Sequence, residues 1–186
     1  TATSSSPAFL PTNNVSNLIS ANIAPDFTVA AENAVNAVVH VKNVSISKGQ
    51  LTLQDLFSGN STPRAQMGTG SGVIINADGY IITNNHVINN SDELTVTLNN
   101  NKSYKAKIIG SDAKTDIALL KIDADEDLPY VTFADSDQAK IGEWVLAVGN
   151  PFNLTSTVTA GIISAKARDL SGTSSQSFIQ TDAAVN

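Results

Sequence analysis

The chain has 186 residues, a net charge of −6 and no cysteine, a length that holds one typical domain or two small ones packed together. The acid excess lacks the electrostatic footprint of a nucleic-acid binder, and the missing cysteines exclude disulfide scaffolds, thiolate metal sites and cysteine nucleophiles. Two histidines are too few for a multi-histidine metal site, and no apolar run reaches the ~18–20 residues of a membrane-spanning helix.

Asparagine, serine and threonine number 19, 20 and 17, valine plus isoleucine 31, and aromatics only 5%, a mixture of turn formers and β-branched residues that points to an all-β chain. Residues 1–26 carry no lysine or arginine and read as an N-terminal arm. With no initiator methionine and no basic-then-apolar leader, any signal segment is expected to have been removed or omitted. Residues 27–39 follow a helix-like pattern, with Asp26 or Thr28 as its cap, and the pattern shifts to strand over 37–44. Residues 45–67 keep no steady period and are read as a long loop, of the kind that is functional or mobile in compact domains.

Strand signals follow at 70–76, 80–84, 94–98, 103–111 and 117–122, the first two joined as a hairpin by Ala77-Asp78-Gly79. An acidic stretch, 123–137, reads as a linker. Strands resume at 144–149, 156–165 and 177–181. No helix-long segment interrupts the run after residue 40, so the pattern predicts a sandwich or barrel.

Five features of the sequence could carry chemistry. His86 ends an apolar strand beside Asn84 and Asn85. Imidazole is the natural general base near neutral pH, although a lone histidine at a strand end is structural by default. Asp116 opens a core-type strand, TDIALLKI, where a carboxylate needs a partner. A histidine N–H is one candidate, and a plain turn aspartate is the other reading. Gly68-Thr69-Gly70-Ser71-Gly72 precedes a strand instead of following one, which fits close backbone packing and not a phosphate cradle. The run Asp123-Ala124-Asp125-Glu126-Asp127 begins like a calcium loop but has Leu128 and Ala134 where glycine and glutamate are required, so a solvated charge run is the better account. His40, within Val38–Val41, reads as a half-buried strand histidine without function.

Together the segments GSGVIINADGYIITNNHVI, TDIALLKI, IGEWVLAVGNPF, TVTAGIISA and FIQTDAAVN, in that order, resemble the HtrA/Deg family of serine proteases, in its Do-like periplasmic branch, from about residue 26 to residue 186. The resemblance implies a chymotrypsin/trypsin-like fold of two β-barrels. The first barrel, 27–134, would be complete and carry the long loop 45–67; the second, 135–186, would be incomplete. It implies His86 as general base and Asp116 as the carboxylate that orients it. In the family the segment matching TDAAVN runs into P-G-N-S-G-G, so the matching serine falls four residues past Asn186. The glycine-rich turn of the oxyanion hole, the closing strands and the PDZ domains would follow it, and the 186 residues alone are expected not to cleave peptide bonds.

The resemblance further implies periplasmic degradation of unfolded polypeptides, with possible chaperone activity, no cofactor, and homotrimers or higher oligomers built through the N-terminal arm. Residues 166–177 match in position a loop that relays effector signals. Two rival functions stay open at this level. One is a non-catalytic chaperone or peptide-binding module on the same fold, against which the retention of both His86 and Asp116 argues. The other is an unrelated β-rich surface domain, which would hold His86 and Asp116 more than about 7 Å apart.

Overall fold

The computed structural model describes residues 25–47, 64–150, 156–168 and 178–185. Helix α1, Thr28–Ala37, starts after Phe27, and the Asp26 carboxylate accepts the Thr28 N–H at 2.9 Å, satisfying one of the orphan donors of the first turn. Valine at 38 and 39 ends the helix and opens β1, Val38–Ser47. Five more strands follow: β2, Arg64–Ile74; β3, Tyr80–Asn84; β4, Glu93–Thr97; β5, Ser103–Asp112; and β6, Ile117–Ile122. All pairings are antiparallel and close into a barrel in the order β1-β2-β3-β6-β5-β4.

Alternation of buried and more exposed residues is clearest in β3, β4 and β6. Ile81, Leu94, Val96, Ala118, Leu120 and Ile122 point inward and join Val39, Val41 and Ile74 in the core. β1 does not alternate in exposure. Val38 and His40 are as buried as Val39 and Val41, because β1 also lies against the second sheet. Glycine carries the predicted β2–β3 hairpin: Gly79 has φ +92°, and a Cβ there would sit 2.6 Å from the Ile122 carbonyl oxygen.

The second sheet has three antiparallel strands among the described residues: β7, Trp144–Gly149; β8, Thr157–Arg168; and β9, Phe178–Thr181. Trp144, Val158, Phe178 and Ile179 are exposed apolar side chains of this sheet. Phe27 packs on Trp144 with ring centroids 5.4 Å apart, which ties the foot of α1 to the start of β7.

Three sequence expectations need correction. Both ends of the loop expected over 45–67 are strand, since β1 runs to Ser47 and β2 begins at Arg64; residues 48–63 lie outside the described residues. β3 keeps the expected bounds, Tyr80–Asn84, and His86 lies just past it in a single helical turn, α2, Asn85–Ile88, instead of ending the strand. β8 continues to Arg168, so only 169–177 of the expected 166–177 loop lies beyond it, outside the described residues together with most of the N-terminal arm.

Candidate active site

The ladder explains how residues thirty apart meet. Asn84, the last residue of β3, pairs with Ile117, the first of β6. The chain leaving β3 and the chain entering β6 are therefore adjacent, and His86 and Asp116 sit on those two segments. Asp116 has φ +55°, a left-handed conformation that aspartate tolerates better than most side chains. Its carbonyl accepts the Asn85 N–H at 3.1 Å and the Asn84 Nδ2–H at 3.2 Å.

The Asp116 carboxylate then grips His86 twice. Oδ1 accepts the His86 backbone N–H at 2.9 Å, and Oδ2 accepts the ring Nδ1–H at 2.7 Å. Asn84 Nδ2 adds a third donor to Oδ2 at 3.2 Å. These donors, the His86 backbone N–H first and its ring next, hold the Asp116 carboxyl below its ordinary pKa, against the opposing effect of its partial burial. With Nδ1–H committed to the carboxylate, the lone pair of the neutral ring lies on Nε2, on the opposite edge of the imidazole. The ring is open to solvent, with the His86 side chain 72% exposed and that of Asp116 42%. An imidazole fixed in one tautomer by an ionised carboxylate, with its basic nitrogen accessible, can take a proton from a hydroxyl and return it. The 2.7 Å contact also lies far inside the ~7 Å beyond which an unrelated surface domain would be the better reading.

The other candidates fall elsewhere. His40 is buried, not half-buried. Its Nδ1–H donates to the Asn150 carbonyl at 3.0 Å, while the Asn150 N–H donates to Ser71 Oγ at 2.9 Å, so the three residues join β1 and β2 to the end of β7. The glycines of residues 68–72 lie inside β2. A Cβ at Gly70 would sit 2.6 Å from Val87 Cγ2, and one at Gly72 2.8 Å from Ile81 Cγ2, so both admit close packing. In the acidic run, Asp123 pairs with Lys107 and Lys121, and Glu126 with Lys102, at the surface.

Sequence reasoning did not single out Asn84, whose carboxamide supports Asp116, nor Asn43, whose Nδ2 donates to the carbonyls closing the His86 turn. For Asn43 a signal existed: it shares strand parity with Val39 and Val41, which marks a polar residue at an inward position.

A model of the trypsin-like peptidase domain matches residues 70–186. Among curated proteins, a probable periplasmic serine endoprotease of the DegP-like type from Pseudomonas fulva (strain 12-X) is 43% identical over 189 residues, covering 87% of this chain and 39% of the relative. Its namesake from Rhizobium meliloti (strain 1021) is 48% identical over 128 residues, covering 69% of this chain and 25% of the relative. Among solved structures, the HtrA-type protease AlgWS227A with decapeptide superposes with a TM-score of 0.76 at 36% identity, covering 87% of this chain and 52% of that one. The same protease with tripeptide gives 0.71 at 37% identity, covering 87% and 48%. The chain thus spans about 39% of the length of the Pseudomonas fulva relative.

Proposed function

The chain belongs to the trypsin-like peptidase family, in its HtrA-type, DegP-like branch, and from that premise we propose that it supplies the acid–base half of a serine endopeptidase acting on unfolded polypeptides in the periplasm. The observation that carries this reading is the 2.7 Å hydrogen bond from His86 Nδ1–H to Asp116 Oδ2. In this mechanism His86 Nε2 takes the proton of a serine hydroxyl as that oxygen attacks the scissile carbonyl, then gives it to the leaving amine. Asp116 stays ionised, keeps the tautomer and stabilises the imidazolium, a role its lowered pKa favours.

In this reading His86 and Asp116 serve the serine of the P-G-N-S-G-G segment that, in the family, follows the stretch matching TDAAVN. A periplasmic location agrees with the names of the relatives. Trimeric or higher assembly and a holding role for unfolded chains belong to the same reading.

The test is cleavage of a reduced, unfolded protein by the whole protein and by its His86→Ala variant. Cleavage abolished in the variant supports the assignment. Binding of the unfolded chain without cleavage by either protein would replace it with a peptide-binding module on this fold.

A further inference from the structure

We propose that Asn43 is a positioning residue for His86: its carboxamide, from inside the barrel wall, holds the far end of the helical turn that carries the imidazole. The inference deepens the reading of His86 as general base and rests on it. A four-residue helix cannot hold itself together, because nucleating one turn fixes several residues for very little internal hydrogen bonding. α2 is such a turn, and both of its ends are satisfied from outside. At the start, Asp116 accepts the N–H groups of Asn85 and His86. At the end, Asn43 Nδ2 donates to the carbonyls of Val87 at 3.1 Å and Asn89 at 3.2 Å. Asn43 is buried, and its Oδ1 has no partner among the described residues. A buried acceptor left unpaired is a cost, and an apolar residue, which would continue the Val39–Val41 face, would avoid it. What the carboxamide supplies at this position is its two N–H groups, and both point at the turn that carries His86.

A second residue seats the same turn from its apolar side. Val87 packs so closely on Gly70 that a Cβ there would come within 2.6 and 2.8 Å of its two methyl groups. Polar clamp and glycine seat come from neighbouring strands, β1 and β2, whose register sets Asn43 opposite Gly68 and Val41 opposite Gly70. The imidazole is thus held at Nδ1 by Asp116, while its backbone is fixed from the opposite side by the barrel.

The test uses the whole protein and reads two quantities: the rate at which the His86 Nδ1 proton exchanges with water, followed through its low-field proton resonance, and kcat against KM for an unfolded substrate. Asn43→Ala is expected to speed that exchange at least tenfold and to lower kcat at least tenfold with KM within twofold. Leu120→Ala, a barrel-core variant, is the control and loses thermal stability while both readouts stay put. A folded Asn43→Ala protein with exchange and kcat within twofold of the parent would overturn the proposal. Should Asn43→Ala not fold, Asn43→Asp keeps the shape while setting a carboxylate against the two carbonyls, and Gly70→Ala displaces the turn from the Val87 side; the same thresholds apply to both. In the unaltered protein the Asn43 Nδ2 protons are expected to be protected, and exchange as fast as that of exposed Asn100 would also sink the proposal. If His86→Ala leaves cleavage intact, the protease reading fails, while the Nδ1 proton still reports whether Asn43 positions the ring.

Discussion

Asp116 binds His86 through both carboxylate oxygens, one on the backbone N–H at 2.9 Å and one on the ring Nδ1–H at 2.7 Å. One side chain therefore fixes the placement of the backbone and the orientation of the ring together. Asp116→Asn keeps the size of the group but gives it an N–H donor where the ring N–H now donates, which favours the wrong tautomer. In the whole protein this substitution is expected to lower kcat by about 10⁴-fold, the drop such a change gives in serine-protease triads. Single-turnover kinetics with an unfolded substrate measure it, and a loss of less than tenfold would remove Asp116 from the role.

The same bonds give the pair a pH signature. The Asp116 carboxyl is held below its ordinary value by the His86 backbone N–H, the His86 ring and Asn84. A carboxyl whose folded pKa is depressed contributes stability that is present above the unfolded value, ~3.9, and is lost as pH falls through the folded one. Local opening of the 84–86 segment is therefore expected below about pH 4, ahead of the barrel core. Backbone amide shifts of Asn85 and His86, followed from pH 6 downward, read it directly. An Asp116 carboxyl carbon titrating above pH 4 would contradict the assignment.

Glycine roles can be separated by substitution. Gly79 combines φ +92° with a backbone carbonyl 2.6 Å from where a Cβ would stand, and a backbone atom cannot move aside cheaply. Gly79→Ala is expected to destabilise the fold by roughly 1–3 kcal/mol in chemical denaturation. Gly110, at the bulge between β5 and β6, has open space around its missing Cβ, so Gly110→Ala should stay within about 0.5 kcal/mol of the parent. Equal effects at the two positions would show that the hairpin turn is not the constrained one.

The barrel is legible because short β-branched segments such as YIITN and IALLKI recur at regular spacing between turn formers, with Ala77-Asp78-Gly79 marking the β2–β3 hairpin. The pairing of His86 with Asp116 was legible through motif order alone, since nothing local says that β3 and β6 are neighbours; strand order is a non-local property. The helical turn at 85–88 was missed for the same reason. Asn-His-Val-Ile has weak helix propensity, and the turn forms because Asp116 and Asn43, distant in sequence, satisfy its ends. The sequence reads His40 as half-buried because strand periodicity assumes one solvated face, and β1 has none where it meets β7.

That contact gives the last prediction. His40 Nδ1–H donates to the Asn150 carbonyl, and Asn150 returns its N–H to Ser71 Oγ, so two bonds from β1 and β2 fix the end of β7 against the barrel. Replacing His40 with leucine keeps an apolar bulk but leaves the buried Asn150 carbonyl without its donor, a loss of about 1–3 kcal/mol. Because the bond lies between barrel and sheet, the effect should appear as faster amide exchange over β7, Trp144–Gly149, and at Asn150, with protection inside β3 and β6 unchanged. Ser71→Ala removes only the acceptor of the Asn150 N–H and should produce a smaller change at the same residues. Exchange that rises uniformly through the barrel in His40→Leu would mean that His40 supports the core and does not dock the second sheet.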